Sequence, residues 1–95
     1  MEYEFEFDEA KSRANKAKHG IDFVEAQGVF RDAMAEAVPA RSDVEPRFLC
    51  TGLIGNRHWT AVFTYRCDAI RLISVRRACA REVQAYEAQN QRGGV

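Results

Sequence analysis

The chain has 95 residues, with 14 Lys and Arg against 14 Asp and Glu, so one domain around one core is expected, with no separate cofactor domain. No apolar run approaches the ~20 residues of a membrane span, and the acidic start MEYEFEFDEA lacks the basic and apolar regions of a secretory signal, so a cytoplasmic protein is expected. Cys50, Cys67 and Cys79 are odd in number and show no C-x-x-C spacing, which argues against a disulfide framework and a zinc site; all three are expected to be packing residues.

At the start of the chain, in YEFEFD, Tyr3, Phe5 and Phe7 alternate with Glu2, Glu4 and Glu6, the pattern of a half-buried strand. Asp8 can cap a helix running to about Lys18, and Gly20 is its natural stop. Asp22 and Glu25 form a D-x-x-E capping box before Phe23, Ala26, Val29 and Phe30, which predicts a second helix over about 23–31. AMAEAV is expected to form a short strand, leading to a loop in PARSDVEP, whose two prolines mark a turn.

Three runs rich in β-branched and aromatic residues come next: RFLCTGLI (47–54), HWTAVFTY (58–65) and AIRLISVR (69–76). Gly55-Asn56 and Cys67-Asp68 sit between them at hairpin spacing, so an antiparallel meander is predicted. Strict alternation would put Ile70, Leu72, Ser74 and Arg76 on one face of the last strand and Arg71, Ile73, Val75 and Arg77 on the other. A final helix over about 78–90 would carry Cys79, Val83 and Tyr86 on one stripe, with 91–95 a frayed tail. The order gives an α+β layer, with helices on a largely antiparallel sheet.

The charge is unevenly spread. Residues 1–46 hold 6 Lys or Arg against 11 Asp or Glu, whereas 47–95 hold 8 against 3, and the 8 cations are all arginine. Arginine's planar fork matches phosphate oxygens bidentately. Arg76, Arg77 and Arg81 gather where the last strand feeds the last helix, so they are candidates for an anion site, although Arg81 could pair with Glu82 or Glu87 and Arg77 could lie over the core. Asp8, Lys11, Asn15 and Lys18 form one polar stripe on the first helix, readable as a solvated face or a functional one. His19 stands at that helix's negative end, where an imidazolium would suit a general acid or a plain helix cap. Trp59, Phe63 and Tyr86 read as core, with Tyr65 less settled at a strand end. His19 and His58 lie almost 40 residues apart, and no metal-ligand spacing, P-loop or G-x-S-x-G elbow occurs, so any catalysis is expected to work without metal or cofactor.

The stretches FEFDEAKSRANKAKHGIDFVEA, RFLCTGLIGNRHWTAVFTYR and IRLISVRRACAREVQAYE resemble the BrnT toxin family of bacterial type II toxin–antitoxin systems over about residues 4–87. The most specific parts are F-D-E-A-K (7–11), N-x-x-K-H-G (15–20) and I-R-x-I-S-x-R-x-A with a following Glu and Tyr (70–86). The resemblance implies a compact RelE-like fold, with an antiparallel sheet, two N-terminal helices and one C-terminal helix. It implies a ribonuclease that inhibits translation and is neutralised by a BrnA-like antitoxin, through which alone it meets operator DNA. Its implied working set is Lys18, His19, Arg47 and Arg76 for catalysis, with Arg77, Arg81 and Lys11 for RNA binding. Phe7 departs from the Trp of many relatives, Tyr65 from a common acidic residue, and the zero net charge from a more basic family. A noncatalytic module docking nucleic acid or an antitoxin's acidic segment, and a structural domain with solvated arginines, are the competing readings of the same residues.

Overall fold

The computed structural model describes residues 3–93, with side chains through Gln89. Strand β1 (Glu4–Glu6) leads into helix α1 (Glu9–His19), a 3-10 helix (Glu25–Arg31), strands β2 (Glu36–Ala40), β3 (Arg47–Ile54), β4 (Arg57–Arg66) and β5 (Ala69–Arg77), and helix α2 (Ala80–Gly93). The strands form one sheet in the order β1-β5-β4-β3-β2. The predicted meander is present, since β3, β4 and β5 pair antiparallel in turn, and β2 joins antiparallel at one edge. The sheet is nevertheless mixed, because β1 pairs parallel with β5 at the other edge, Phe5 opposite Ile70.

Local signals account for the helix ends. Asp8 Oδ1 accepts from the Lys11 N–H at 3.1 Å, and Gly20, at φ 81°, donates its N–H to the Lys16 carbonyl, a left-handed stop that needs no Cβ. The capping box forms reciprocally, with Asp22 Oδ1 accepting from Glu25 N–H at 2.8 Å and Glu25 Oε1 from Asp22 N–H at 3.0 Å. The box opens a 3-10 helix, Glu25–Arg31, within the helix expected over about 23–31. The buried residues Phe23, Ala26 and Val29 recur every three positions, a step compatible with the 3-10 period. The final helix starts at Ala80 and leaves Cys79 outside it and exposed. It continues through Gly93, so the expected tail at 91–95 falls on its last turn and on residues 94–95, which lie outside the described residues.

One face of the sheet carries the core. Cys50, Trp59, Ala61, Phe63, Ile70, Leu72 and Val75 pack there against Ile21, Phe23, Ala26 and Val29, and edge-to-face aromatic contacts link Phe5, Phe30 and Phe63 across it. Gly52 lets the 3-10 helix approach, because a Cβ there would meet the Val29 carbonyl oxygen at 2.9 Å. Among the described residues, the other face is covered only in part, by α2, whose buried apolar anchor is Tyr86. Of the cysteines only Cys50 is a packing residue, and burial pushes its thiol up to about 11; Cys67 and Cys79 are exposed, against expectation.

The strict alternation expected for β5 is broken by a bulge. Val62 pairs with Ser74 but Phe63 pairs with Leu72, which leaves Ile73 as an extra residue. Before the bulge the core face takes Ile70 and Leu72, and after it Val75 and Arg77. Arg76 therefore shares its face with Arg71, where uninterrupted alternation separates them.

Candidate nucleic-acid interface

Arg47, Arg71 and Arg76 all project from the half-covered face. Val38 is paired with Leu49, Leu49 with Val62 and Val62 with Ser74, so an incompletely buried row, apolar from Val38 to Val62 and ending on Ser74, crosses that face. On one side of it Thr64 pairs with Arg71, and Arg47 stands one position from the Phe48–Phe63 pair, beside Thr64. On the other side Thr51 pairs with Thr60, and Thr60 with Arg76. An apolar floor thus lies between a row holding two arginines and a row holding one, the rows standing roughly 13 Å apart at four strand residues.

The three guanidinium groups are held differently. Arg76 forms a two-pronged pair with Glu82 of α2, Nη1 to Oε1 at 2.7 Å and Nη2 to Oε2 at 2.9 Å. Glu82 Oε1 also accepts from Thr60 Oγ1 and from the Cys79 N–H, both at 2.9 Å. The Arg76 guanidinium, helped by those donors, holds the Glu82 carboxyl at about 2. Arg71 reaches Glu6 at a looser 3.5 Å. Arg47 Nε lies 3.9 Å from Glu45 Oε1 and, though itself buried, has no hydrogen-bond partner among the described residues. Loose pairs of this kind contribute little stability and leave both arginines able to exchange partners.

Arg77 belongs to the opposite face, its guanidinium carbon 5.5 Å from the centre of the Trp59 ring, a cation–π contact over the core. Lys18 and His19 lie at the end of α1. That helix starts beside Arg71, because β1 pairs Glu6 with Arg71, and reaches Val75 through Asn15; its last turn therefore stands toward the C-terminal end of β5. Arg76 and Arg77 end β5, the strand that α1 reaches at Val75 through Asn15, and Arg81 is exposed in the first turn of α2. Arg47 stands toward the other end of β5, with Arg71, and Lys11 is exposed on α1. Among the described residues, no three His, Cys, Asp or Glu side chains form a group able to hold a metal ion.

Asn15 is the buried member of the α1 polar stripe. Its Nδ2 donates to the Val75 carbonyl at 2.8 Å and the Ile21 carbonyl at 2.9 Å, and its Oδ1 accepts from the Val75 N–H at 3.3 Å.

Sequence reasoning misses the parts played by Arg71, Glu82 and Asp32. Uninterrupted alternation puts Arg71 on the face of Val75, and the bulge at Ile73 is what moves it to the other. Asp32 joins three elements: Oδ1 accepts from the Met34 N–H at 2.9 Å, and Oδ2 from the Leu53 N–H at 2.8 Å and the Tyr86 hydroxyl at 2.6 Å. Burial works against its charge, but these donors outweigh it and hold the carboxyl below its usual value; burial together with Asp32 pushes the Tyr86 hydroxyl up to about 12. His58 Nε2 lies 2.9 Å from Glu87 Oε1, with its ring edge-to-face on Tyr86. Helix α2 is thus clasped to the sheet largely through polar contacts at Glu82, Tyr86 and Glu87.

No helix among the described residues is long and apolar enough to cross a membrane. No curated protein matches the chain. The family model described as the ribonuclease toxin BrnT of type II toxin–antitoxin systems matches residues 7–82, a span running from the end of β1 to the Glu82 that holds Arg76, and the chain belongs to that family of toxins.

Proposed function

We propose that this chain is an endoribonuclease that works without a metal ion in the cytoplasm, inhibits translation, and is neutralised by a BrnA-like antitoxin through which alone it contacts operator DNA. The observation that carries the reading, beyond family membership, is the grouping of Arg47, Arg71 and Arg76 on one incompletely covered sheet face. Cleaving RNA without a metal requires a group to take the 2′-hydroxyl proton, one to protonate the leaving oxygen, and cations where charge builds on phosphorus. In this reading Arg47 and Arg76 clamp phosphate, His19 exchanges the proton, and Lys18 adds positive charge beside it. Arg77, Arg81 and Lys11 add positive charge that draws RNA to the protein. The antitoxin covers the arginine-bearing face.

The test is an RNA cleavage assay with and without EDTA, paired with expression of the chain alone and with the product of a neighbouring open reading frame. Cleavage that persists in EDTA and growth arrest relieved by co-expression are expected. Activity abolished by EDTA and restored by one added metal overturns metal independence. A second reading, a noncatalytic nucleic-acid- or antitoxin-binding module, draws support from the distance along the sheet between Arg47 and the His19 end. RNA bound but never cut, at any metal concentration, decides for it.

A further inference from the structure

Arg76 is the arginine best placed for a phosphate by its surroundings and the one least free to take it. Its two terminal nitrogens are engaged by the two oxygens of one carboxylate, the same fork-to-fork geometry a phosphodiester would adopt. The Glu82 side chain is only 16% exposed, whereas Arg76 keeps 36% of its own exposed, so solvent and ligands can reach the guanidinium from the open half of the face. Thr60, fully buried below it, turns its hydroxyl to the same carboxylate oxygen as Arg76 Nη1 and the Cys79 N–H. These donors converge on one anionic position, and that position is occupied by the protein's own side chain.

We infer that Glu82 is an internal competitor for Arg76, which must leave the guanidinium before a nucleic-acid backbone phosphate can be bound there. The inference rests on the reading of Arg76 as a phosphate clamp and adds its regulation. A phosphate that arrives exchanges one bidentate partner for another, so the net gain in affinity is the difference between two similar interactions. Engagement at Arg76 is therefore weak and easily reversed. The other contacts of α2 do not depend on Glu82, since Tyr86 holds Asp32 and Glu87 lies against His58; the carboxylate can turn away while the helix stays docked.

The experiment compares the full chain with Glu82→Gln, Arg76→Ala and the double variant, using a short single-stranded oligoribonucleotide and, separately, inorganic phosphate. Glu82→Gln is expected to bind the oligonucleotide about 10-fold more tightly, the scale of one charge-assisted contact released from competition, and the double variant is expected to lose the gain. Folded Glu82→Gln protein that binds no more tightly than the parent overturns the inference. To cover a variant that fails to fold, the ¹³C resonance of the Glu82 carboxyl is followed in the parent chain during titration: a shift that saturates with binding supports displacement, and an unmoved resonance at saturation rejects it. The two readings fail separately. Phosphate captured by Glu82→Gln in an Arg76-dependent way, with no RNA cleavage by any variant, keeps the competitor and removes the ribonuclease; cleavage by the parent chain without any gain in Glu82→Gln does the reverse.

Discussion

The Asn15 side chain grips Val75 by both of its backbone groups, receiving the N–H and donating to the carbonyl across 60 residues of sequence. Strand β1 pairs with β5 only as far as Arg71, so the edge of β5 beyond it lacks a strand partner. One carboxamide supplies the missing donor and acceptor, and its second N–H closes the turn after α1 at Ile21. This is how α1 is fixed against the sheet, and with it the position of Lys18 and His19.

Asn15→Ala should therefore destabilise the fold by about 2–4 kcal/mol, since it strands three buried backbone groups. Urea denaturation followed by tryptophan fluorescence measures the loss. A change below ~1 kcal/mol would mean that water replaces the amide.

If the half-covered face holds RNA, Arg47→Ala and Arg71→Ala should each weaken oligonucleotide binding by about 1–3 kcal/mol and reduce the salt slope by about one. Arg77→Ala, on the opposite face over Trp59, should change binding less and stability more. Binding titrations at several salt concentrations separate the two, and equal effects from all three would argue against a face-specific site.

His19→Ala is expected to leave binding and folding nearly intact while slowing cleavage by roughly 10²- to 10⁴-fold, the range for a lost general acid or base. Cleavage at the parent rate assigns the imidazole to the helix end and passes the chemistry to Lys18 or the arginines. A chain that unfolds instead shows that its role is structural.

Acid should weaken the Arg76–Glu82 pair. The Glu82 carboxyl sits at about 2 in the folded protein against ~4.3 when unfolded. A depressed value means that its stabilisation is complete above about pH 4.3 and drains away as the pH falls toward 2. The contribution is about 2 kcal/mol, allowing for the solvent that reaches Arg76. Melting curves of the parent chain and Glu82→Gln should converge over that interval; a gap that stays constant from about pH 6 to about pH 2.5 contradicts the assignment.

Most of the secondary structure is legible in the sequence because its signals are local. Asp8, Gly20 and the Asp22–Glu25 box mark helix ends by side chains acting within one turn, and the three long strands announce themselves by alternation and by their turns. The features that stay hidden depend on partners distant in sequence. The Ile73 bulge is set by how Val62 and Phe63 pair with β5, and no residue in RLISVRR betrays it; without it Arg71 falls on the wrong side of the sheet. The parallel pairing of β1 leaves no mark in YEFEFD, which alternates as an antiparallel strand would. Candidate cations are visible as a compositional excess of arginine, but which of them share a face is not, and the partner of Arg76 depends on the position of α2 relative to Thr60. The spacing of Phe23, Ala26 and Val29 fits two helix types at once, because a three-residue step is shared by the α-helix and the 3-10 helix.

The pairing of the first strand with the last also governs when the molecule can come into being. Glu4 lies opposite Ala69 and Asn15 waits for Val75, so β1 and α1 have no native partner in the sheet until β5 has been made. Loop closure of that length is a slow step in folding, and the β3–β4–β5 meander, built from neighbours, is free to form before it. A chain ending short of β5 would keep α1 without its anchor and the arginines of β5 missing altogether. Assembly of the candidate site thus waits for β5, and pulsed hydrogen exchange should find the Val75 amide protected later than the amides of β3 and β4.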